Sequence, residues 1–306
     1  WIPSVCSKAV TLKMLVVRIS GGLGNQMFQW AFGKALSLQY NTSVVYDLSF
    51  YRYTNDNVTA RSYELNLFEA SVIELDTEEY KIQPLPGSRL GRLQLMLDRI
   101  RGKKELIRID ESEYKVLLRS TLLRKSDLYF NGYWQNEDYF KFCDHKIRQA
   151  FTPRESLLSS DTVQSVITEI RNRNSVSIHF RRGDYVTDPK TAQYHGVCSL
   201  SYYEAAVNHI TQKIRNPYFY IFSDDPAWVK KNFTLSYDHH IMEDKQYSSV
   251  IDMYLMSICQ HHIIANSTFS WWGAWLNDSP QKLVIVPQRW FLDVIRNEEK
   301  KNIVPS

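Results

Sequence analysis

Residues 15–47 constrain the fold more than any other part of the chain. Leu15, Val16, Val17 and Ile19 make a short apolar, β-branched run, residues 20–24 (SGGLG) form a glycine turn, and Met27, Phe28, Ala31, Phe32, Ala35 and Leu36 then recur at largely helical spacing. A second β-branched run, residues 43–47 (SVVYD), follows. A strand, a turn, a helix and a strand in that order close as a right-handed β-α-β unit, which commits the chain to a parallel sheet of the α/β class. The same rhythm restarts after Thr152, Pro153 and Arg154 break it. A helix over 157–173 is followed by a strand over 176–180, a helix over 201–215, a strand over 218–222 and helices over 227–233 and 249–259. A strand over 262–265, a helix from Trp271 and a strand over 283–286 complete the pattern. With 306 residues, about two domains of ordinary size fit. The reading is therefore two Rossmann-like domains facing a cleft, 14–153 and 154–306, with residues 1–13 an extension ahead of a start at Met14.

Bulk properties remove several function classes. Thirty-seven Lys and Arg against thirty-three Asp and Glu leave a formal charge of +4, too small for a nucleic-acid footprint, so any basic site is local. The four cysteines, Cys6, Cys143, Cys198 and Cys259, lie far apart, which fits neither a disulfide scaffold nor a thiolate zinc site. No run of about 18 apolar residues suggests a membrane span. One local basic feature stands out, where Leu90, Leu93, Leu97 and Ile100 recur at helical spacing among Arg89, Arg92, Arg99, Arg101, Lys103 and Lys104. Its ordinary reading is a core-facing stripe with a solvated basic back; the alternative is peripheral contact with an anionic membrane or an acidic partner.

Four segments carry chemistry. Gly22-x-Gly24 after a strand, with Asp47 closing the next one, has part of a dinucleotide-binding pattern, but Met27 stands where the third glycine belongs. Asn25 and Gln26 instead bring two amides to the helix start, to meet a polyhydroxylated ligand or to cap the helix. Residues 179–184 (HFRRGD) lie where a buried strand leaves its sheet, the edge at which open α/β sheets bind ligands. Arg181 and Arg182 there need an anion, and a guanidinium fork matches phosphate oxygens and neutralises a departing diphosphate without a metal. Asp184 either accepts a proton as a base or fixes one of these arginines through a salt bridge.

Asp224 and Asp225, after the strand over 218–222, are helix caps or acceptors for a nucleoside. Their adjacency points the side chains apart and argues against a shared metal. Asn266, Ser267, Thr268, Phe269 and Ser270 form a small polar loop able to aim donors at phosphate. Trp271, Trp272 and Trp275 beyond it read as core more readily than as sugar platforms.

Together these segments resemble the α-1,2-fucosyltransferase family, through residues 20–29 (SGGLGNQMFQ), 179–184 (HFRRGD), 223–225 (SDD) and 265–276 (ANSTFSWWGAWL), in that order and across nearly the whole chain. The resemblance implies a GT-B-like fold, GDP-β-L-fucose as co-substrate with no cofactor, and inverting, metal-independent transfer to the 2-hydroxyl of a terminal β-galactoside. It implies that Arg181 and Arg182 hold the diphosphate, that His179 stiffens the strand end, that Asp224 or Asp225 contacts the nucleoside and that residues 266–270 donate to phosphate. Asp184 and Arg182 are then the catalytic candidates, and Gly22, Asn25 and Gln26 stand on the acceptor side. Animal members carry an N-terminal anchor not seen in this sequence, which implies a bacterial-type cytoplasmic enzyme. Two alternatives remain at this point: a non-catalytic carbohydrate-binding protein, suggested by 8 Trp and 19 Tyr, and a fucosyltransferase of α-1,6 or protein O-linked type, because the HxRR element is shared with those families.

Overall fold

A computed structural model describes residues 14–52, 61–75, 79–84, 105–114, 127–243, 247–293, 297–298, 303 and 305. The basic helix read over 89–104 and the extension 1–13 lie outside the described residues. The chain divides into two compact units, one ending at Ile147 and the other continuing from Arg148 and also taking Glu64–Ala70. The second unit captures that short segment through backbone bonds. Phe68 pairs with Pro153 in an antiparallel bridge, Glu69 N–H donates to Thr152 O at 3.0 Å and Arg154 N–H to Leu67 O at 3.0 Å.

The first unit holds β1 (Leu15–Arg18), β2 (Val44–Asp47), β3 (Lys81–Pro84), β4 (Glu105–Asp110) and β5 (Leu128–Asn131). They form one sheet in the order β2-β1-β5-β4-β3, every pair parallel. The helix joining β1 to β2 runs Leu23–Tyr40 and stops where Asn41 takes the left-handed conformation at φ 49°, its N–H returning to Ser37 O. Short polar residues tolerate that geometry, which is why an Asn ends this helix. One face of the helix feeds an aromatic cluster in which Phe32 stacks on Trp134 at 3.9 Å and meets Tyr114, Phe130 and Tyr139 edge-on.

The second unit holds β6 (Asn174–Phe180), β7 (Pro217–Ser223), β8 (His239–Ile241), β9 (His261–Ile263) and β10 (Val284–Ile285), again all parallel, in the order β10-β9-β6-β7-β8. Alternation along β7 fills two cores. Phe219 and Ile221 join Val176, Ile178 and Phe180 on one face, while Tyr220 and Phe222 join Ile167, Ile170 and Leu255 on the other. Covering both faces with helices is what a parallel sheet requires.

Two helices differ from the sequence reading, both because a serine caps them. Ser160 accepts from Val163 N–H, so the helix expected over 157–173 is broken into Glu155–Leu158 and Asp161–Arg171. Ser267 accepts from Phe269 N–H, so the helix expected from Trp271 begins at Thr268 and runs to Leu276. Trp271, Trp272 and Trp275 are buried in it, as core.

Candidate functional site

Phe180 and Ser223 are register partners at the C-terminal ends of β6 and β7, so the two charged segments leave the sheet side by side. Asp224 reaches across. Its Oδ1 accepts the Arg182 backbone N–H at 2.8 Å and its Oδ2 accepts from Arg181 Nη1 at 2.7 Å. Arg181 Nη2 also donates to Asp184, so both arms of this guanidinium are held. Arg182 takes a different support. Its Nε lies 3.3 Å from Asp225 Oδ2, and its guanidinium carbon sits 3.5 Å above the Trp228 ring. Asp225 also caps the helix Pro226–Asn232 by accepting from Trp228 N–H at 3.1 Å, so one residue sets both the helix and the arginine stacked on it. Arg181 and Arg182 keep 19% and 16% of their side-chain surface exposed, enough for a ligand to reach them.

Gly183 makes this clustering possible. A Cβ built there falls 2.5 Å from Asp224 Oδ2 and 3.2 Å from its carboxyl carbon. Side chains at this point would push Asp224 off both of its donors.

His179 lies beneath the arginines as a neutral ring. Burial, then the neighbouring Arg181 charge, pushes it down to about 3, so the ring is uncharged near neutrality. Its backbone carbonyl accepts from Tyr203 Oη at 3.0 Å, and its ring lies 5.3 Å from Phe269. Its Nδ1 is buried without a hydrogen-bond partner among the described residues.

The loop after β9 emerges next to β6, because Ile178 pairs with Ile263. Within it, Asn266 Nδ2 donates to the carbonyls of His195, Gly196 and Trp290, and Ser270 Oγ donates to those of Ala265 and Ser267. These two side chains hold the loop's shape. Ser267 is the helix cap, and Thr268 and Phe269 are half-buried.

In the first unit, Gln26 is fully buried, with Nε2 donating to Gly21 O at 3.1 Å and Ser62 O at 2.8 Å. Asn25 Oδ1 accepts from Gln135 Nε2 at 2.9 Å. Gly22 occupies the N-cap position of the helix. The amides read as ligand donors or caps thus tie loops of their own unit together. Asp47 is likewise enclosed, accepting from Tyr129 Oη at 2.5 Å and Ser49 N–H at 2.8 Å.

Trp228, Gly183 and Tyr203 were not singled out in the sequence. Only Trp228 had a signal: it is the third residue past Asp225, the position an N-cap carboxylate addresses. Among the described residues, no group of three or more His, Cys, Asp or Glu is disposed to hold a metal ion. No helix there is long and apolar enough to cross a membrane.

The sequence pattern of glycosyl transferase family 11 matches residues 14–302. An α-1,2-colitosyltransferase of Escherichia coli is 35% identical over 288 residues, 92% of this chain and 93% of that protein. The O-antigen biosynthesis glycosyltransferase WbnK of Escherichia coli is 34% identical over 283 residues, covering 89% and 93%. A galactoside 2-α-L-fucosyltransferase of Caenorhabditis elegans is 30% identical over 154 residues, 47% of this chain and 41% of the relative. Among solved structures, NodZ α-1,6-fucosyltransferase co-crystallized with GDP superposes with a TM-score of 0.54 at 12% identity, covering 87% of this chain and 93% of that one. At that identity the likeness is one of fold, and it agrees with a GT-B architecture of two parallel-sheet α/β units.

Proposed function

Because this chain belongs to glycosyl transferase family 11, we propose that it moves L-fucose from GDP-β-L-fucose to the 2-hydroxyl of a terminal β-galactoside, with inversion and without a required metal. The bond from the fucose anomeric carbon to the diphosphate oxygen breaks as the galactose O2 bonds to that carbon from the opposite face. The hydroxyl proton passes to a carboxylate or to the departing phosphate. The observation that carries this reading is the pair of guanidinium groups just past the end of β6, held by Asp184 and by Asp224, Asp225 and Trp228 from beyond the end of β7. In this reading Arg181 and Arg182 stabilise the negative charge that grows on the leaving diphosphate, the interaction that lowers the barrier most in such transfers.

Asp184 fixes Arg181 and Asp225, with 40% of its side chain exposed, faces the nucleoside. The helix start at Thr268 adds backbone donors beside the phosphates. Gly22, Asn25 and Gln26 shape the loop that receives the acceptor. The relatives' names support galactoside and α-1,2 chemistry, and NodZ α-1,6-fucosyltransferase, co-crystallized with GDP and in another crystal soaked with GDP-fucose, supports the donor. A second reading, colitose in place of fucose, is favoured by the 35% identical α-1,2-colitosyltransferase.

The test is calorimetric titration with GDP in EDTA, then transfer from GDP-fucose and from GDP-colitose to lactose or N-acetyllactosamine, with the linkage read by NMR. Arg182→Ala should lose GDP binding. A chain that neither binds GDP nor releases it from either donor overturns the proposal. Glycan binding that persists in Arg182→Ala without turnover would mark a carbohydrate-binding protein instead.

A further inference from the structure

The loop that follows β5 is built to present one aromatic ring. β5 lies between β1 and β4 in the centre of the first sheet. Its C-terminal end is at the edge where open parallel sheets bind ligands. Gly132, Tyr133 and Trp134 leave that end, and Gln29 and Glu111 hold their backbone while Gln135 ties down the residue that follows. Gln29 Nε2 donates to Gly132 O at 3.0 Å. Glu111 Oε2 accepts both the Tyr133 N–H at 3.1 Å and the Trp134 N–H at 3.0 Å. Gln135 Nε2 reaches Asn25 across the turn after β1.

Trp134 sits at φ 55°, a conformation a bulky L-residue adopts only when its surroundings force it. What forces it is its ring, fully buried and stacked on Phe32 at 3.9 Å with an interplanar angle of 1°. Gly132 is confined as well, since a Cβ there falls 2.8 Å from Glu111 Cβ. Between these two fixed residues Tyr133 keeps 49% of its surface exposed.

An exposed aromatic on a mobile loop is ordinary. Here the backbone on both sides is over-determined, and strain is spent to hold it so. The same sheet edge carries a row of polar groups: Arg18 Nη1 donates to Asn131 Oδ1 at 3.1 Å, and Asn131 Nδ2 donates to Asp110 Oδ1 at 2.6 Å. An exposed aromatic ring on a held backbone, two residues past a strand end that carries amide, carboxylate and guanidinium groups, matches a pyranose, which offers an apolar C–H face and a rim of hydroxyls.

We propose that Tyr133 is the platform on which the terminal pyranose of the acceptor stacks, with Asn131 and Asp110 serving its hydroxyl rim. This rests on the transfer reading above. The experiment measures acceptor KM, kcat and GDP affinity for Tyr133→Ala, Tyr133→Leu and Tyr133→Phe, with lactose as acceptor and a melting curve for each. Alanine and leucine should both raise acceptor KM roughly tenfold with GDP affinity unchanged, the leucine showing that bulk without a ring does not suffice. Phenylalanine should stay within about twofold, because the ring face and not the hydroxyl is used. Unchanged KM in the alanine and leucine variants overturns the platform, as does a phenylalanine variant that loses as much as alanine. Saturation-transfer NMR with lactose reads acceptor binding without turnover. An inactive wild-type chain would therefore count against the transfer reading alone. In that case a lactose signal that disappears in Tyr133→Leu would still support the platform, and a signal that persists there would still overturn it.

Discussion

Replacing Gly183 with alanine tests the charged site with a single methyl group. Its φ is not in the left-handed region, so alanine meets no backbone penalty and any effect comes from contact. The added Cβ would lie 2.5 Å from Asp224 Oδ2, where ordinary contact begins near 3.4 Å, so the carboxylate must retreat by roughly 1 Å. Asp224 has no slack, because its Oδ2 accepts from Arg181 Nη1 at 2.7 Å and its Oδ1 from Arg182 N–H at 2.8 Å. A retreat of that size stretches one or both beyond hydrogen-bonding range.

A hydrogen bond to a charged group contributes about 1.5–3 kcal/mol, and the site is partly open to solvent, so about 1.5 kcal/mol is the reasonable figure for loss of aim at Arg181. GDP affinity should then fall roughly tenfold, at 1.4 kcal/mol per decade. Titration calorimetry in EDTA measures it. The cycle with Asp224→Ala identifies the cause: once the carboxylate is gone, Gly183→Ala should change GDP affinity by less than about twofold. Full GDP affinity in Gly183→Ala, or an equal loss in the Asp224→Ala background, refutes the contact argument.

Asp184→Asn should weaken GDP binding together with kcat, because the carboxylate that holds Arg181 loses its charge; a loss of about 100-fold in kcat at normal GDP affinity would make Asp184 the base instead. Burial pushes the Asp252 carboxyl up to about 7. Between about 4, where an unfolded aspartate titrates, and that value, the native state holds a proton that the unfolded chain releases. Stability should therefore fall as pH rises through this window and level off above it. Asp252→Asn should flatten that slope and stabilise the protein at pH 8 by a few kcal/mol, read by urea denaturation at pH 5 and pH 8; an unchanged slope counts against a buried neutral acid.

The charged site was legible as two strand ends, because β-branched and aromatic runs ending in HFRRGD and SDD mark where side chains leave a buried sheet. Which carboxylate meets which arginine was not legible. That depends on Phe180 standing opposite Ser223, and a slip of one residue would exchange the faces. The amides of residues 25 and 26 show the same boundary from the other side. Their place at a helix start is local, but their hydrogen-bond partners Ser62 and Gln135 lie 36 residues from Gln26 and 110 from Asn25. β3 and β4 escaped the pattern because both carry charges within the strand, with Glu105 buried and Arg108 exposed, so neither alternates cleanly nor runs wholly apolar.

Aromatic residues separate these cases further. Trp271 and Trp275 stack one turn apart on a short helix while Trp272 points to another side of it, and all three rings are buried, so the helix is enclosed by core on more than one face. Counting aromatics as sugar platforms therefore overstates that function. Tyr133 and Trp134 are adjacent on an irregular loop, where no period assigns a face, and the left-handed backbone at Trp134 turns one ring inward and leaves the other out. That backbone choice is imposed by Phe32 and Glu111, from a helix and a strand end far away in the sequence. An exposed aromatic with a binding role is thus hardest to find where it matters most, since the tertiary contacts that make it rigid leave no periodic trace in the chain around it.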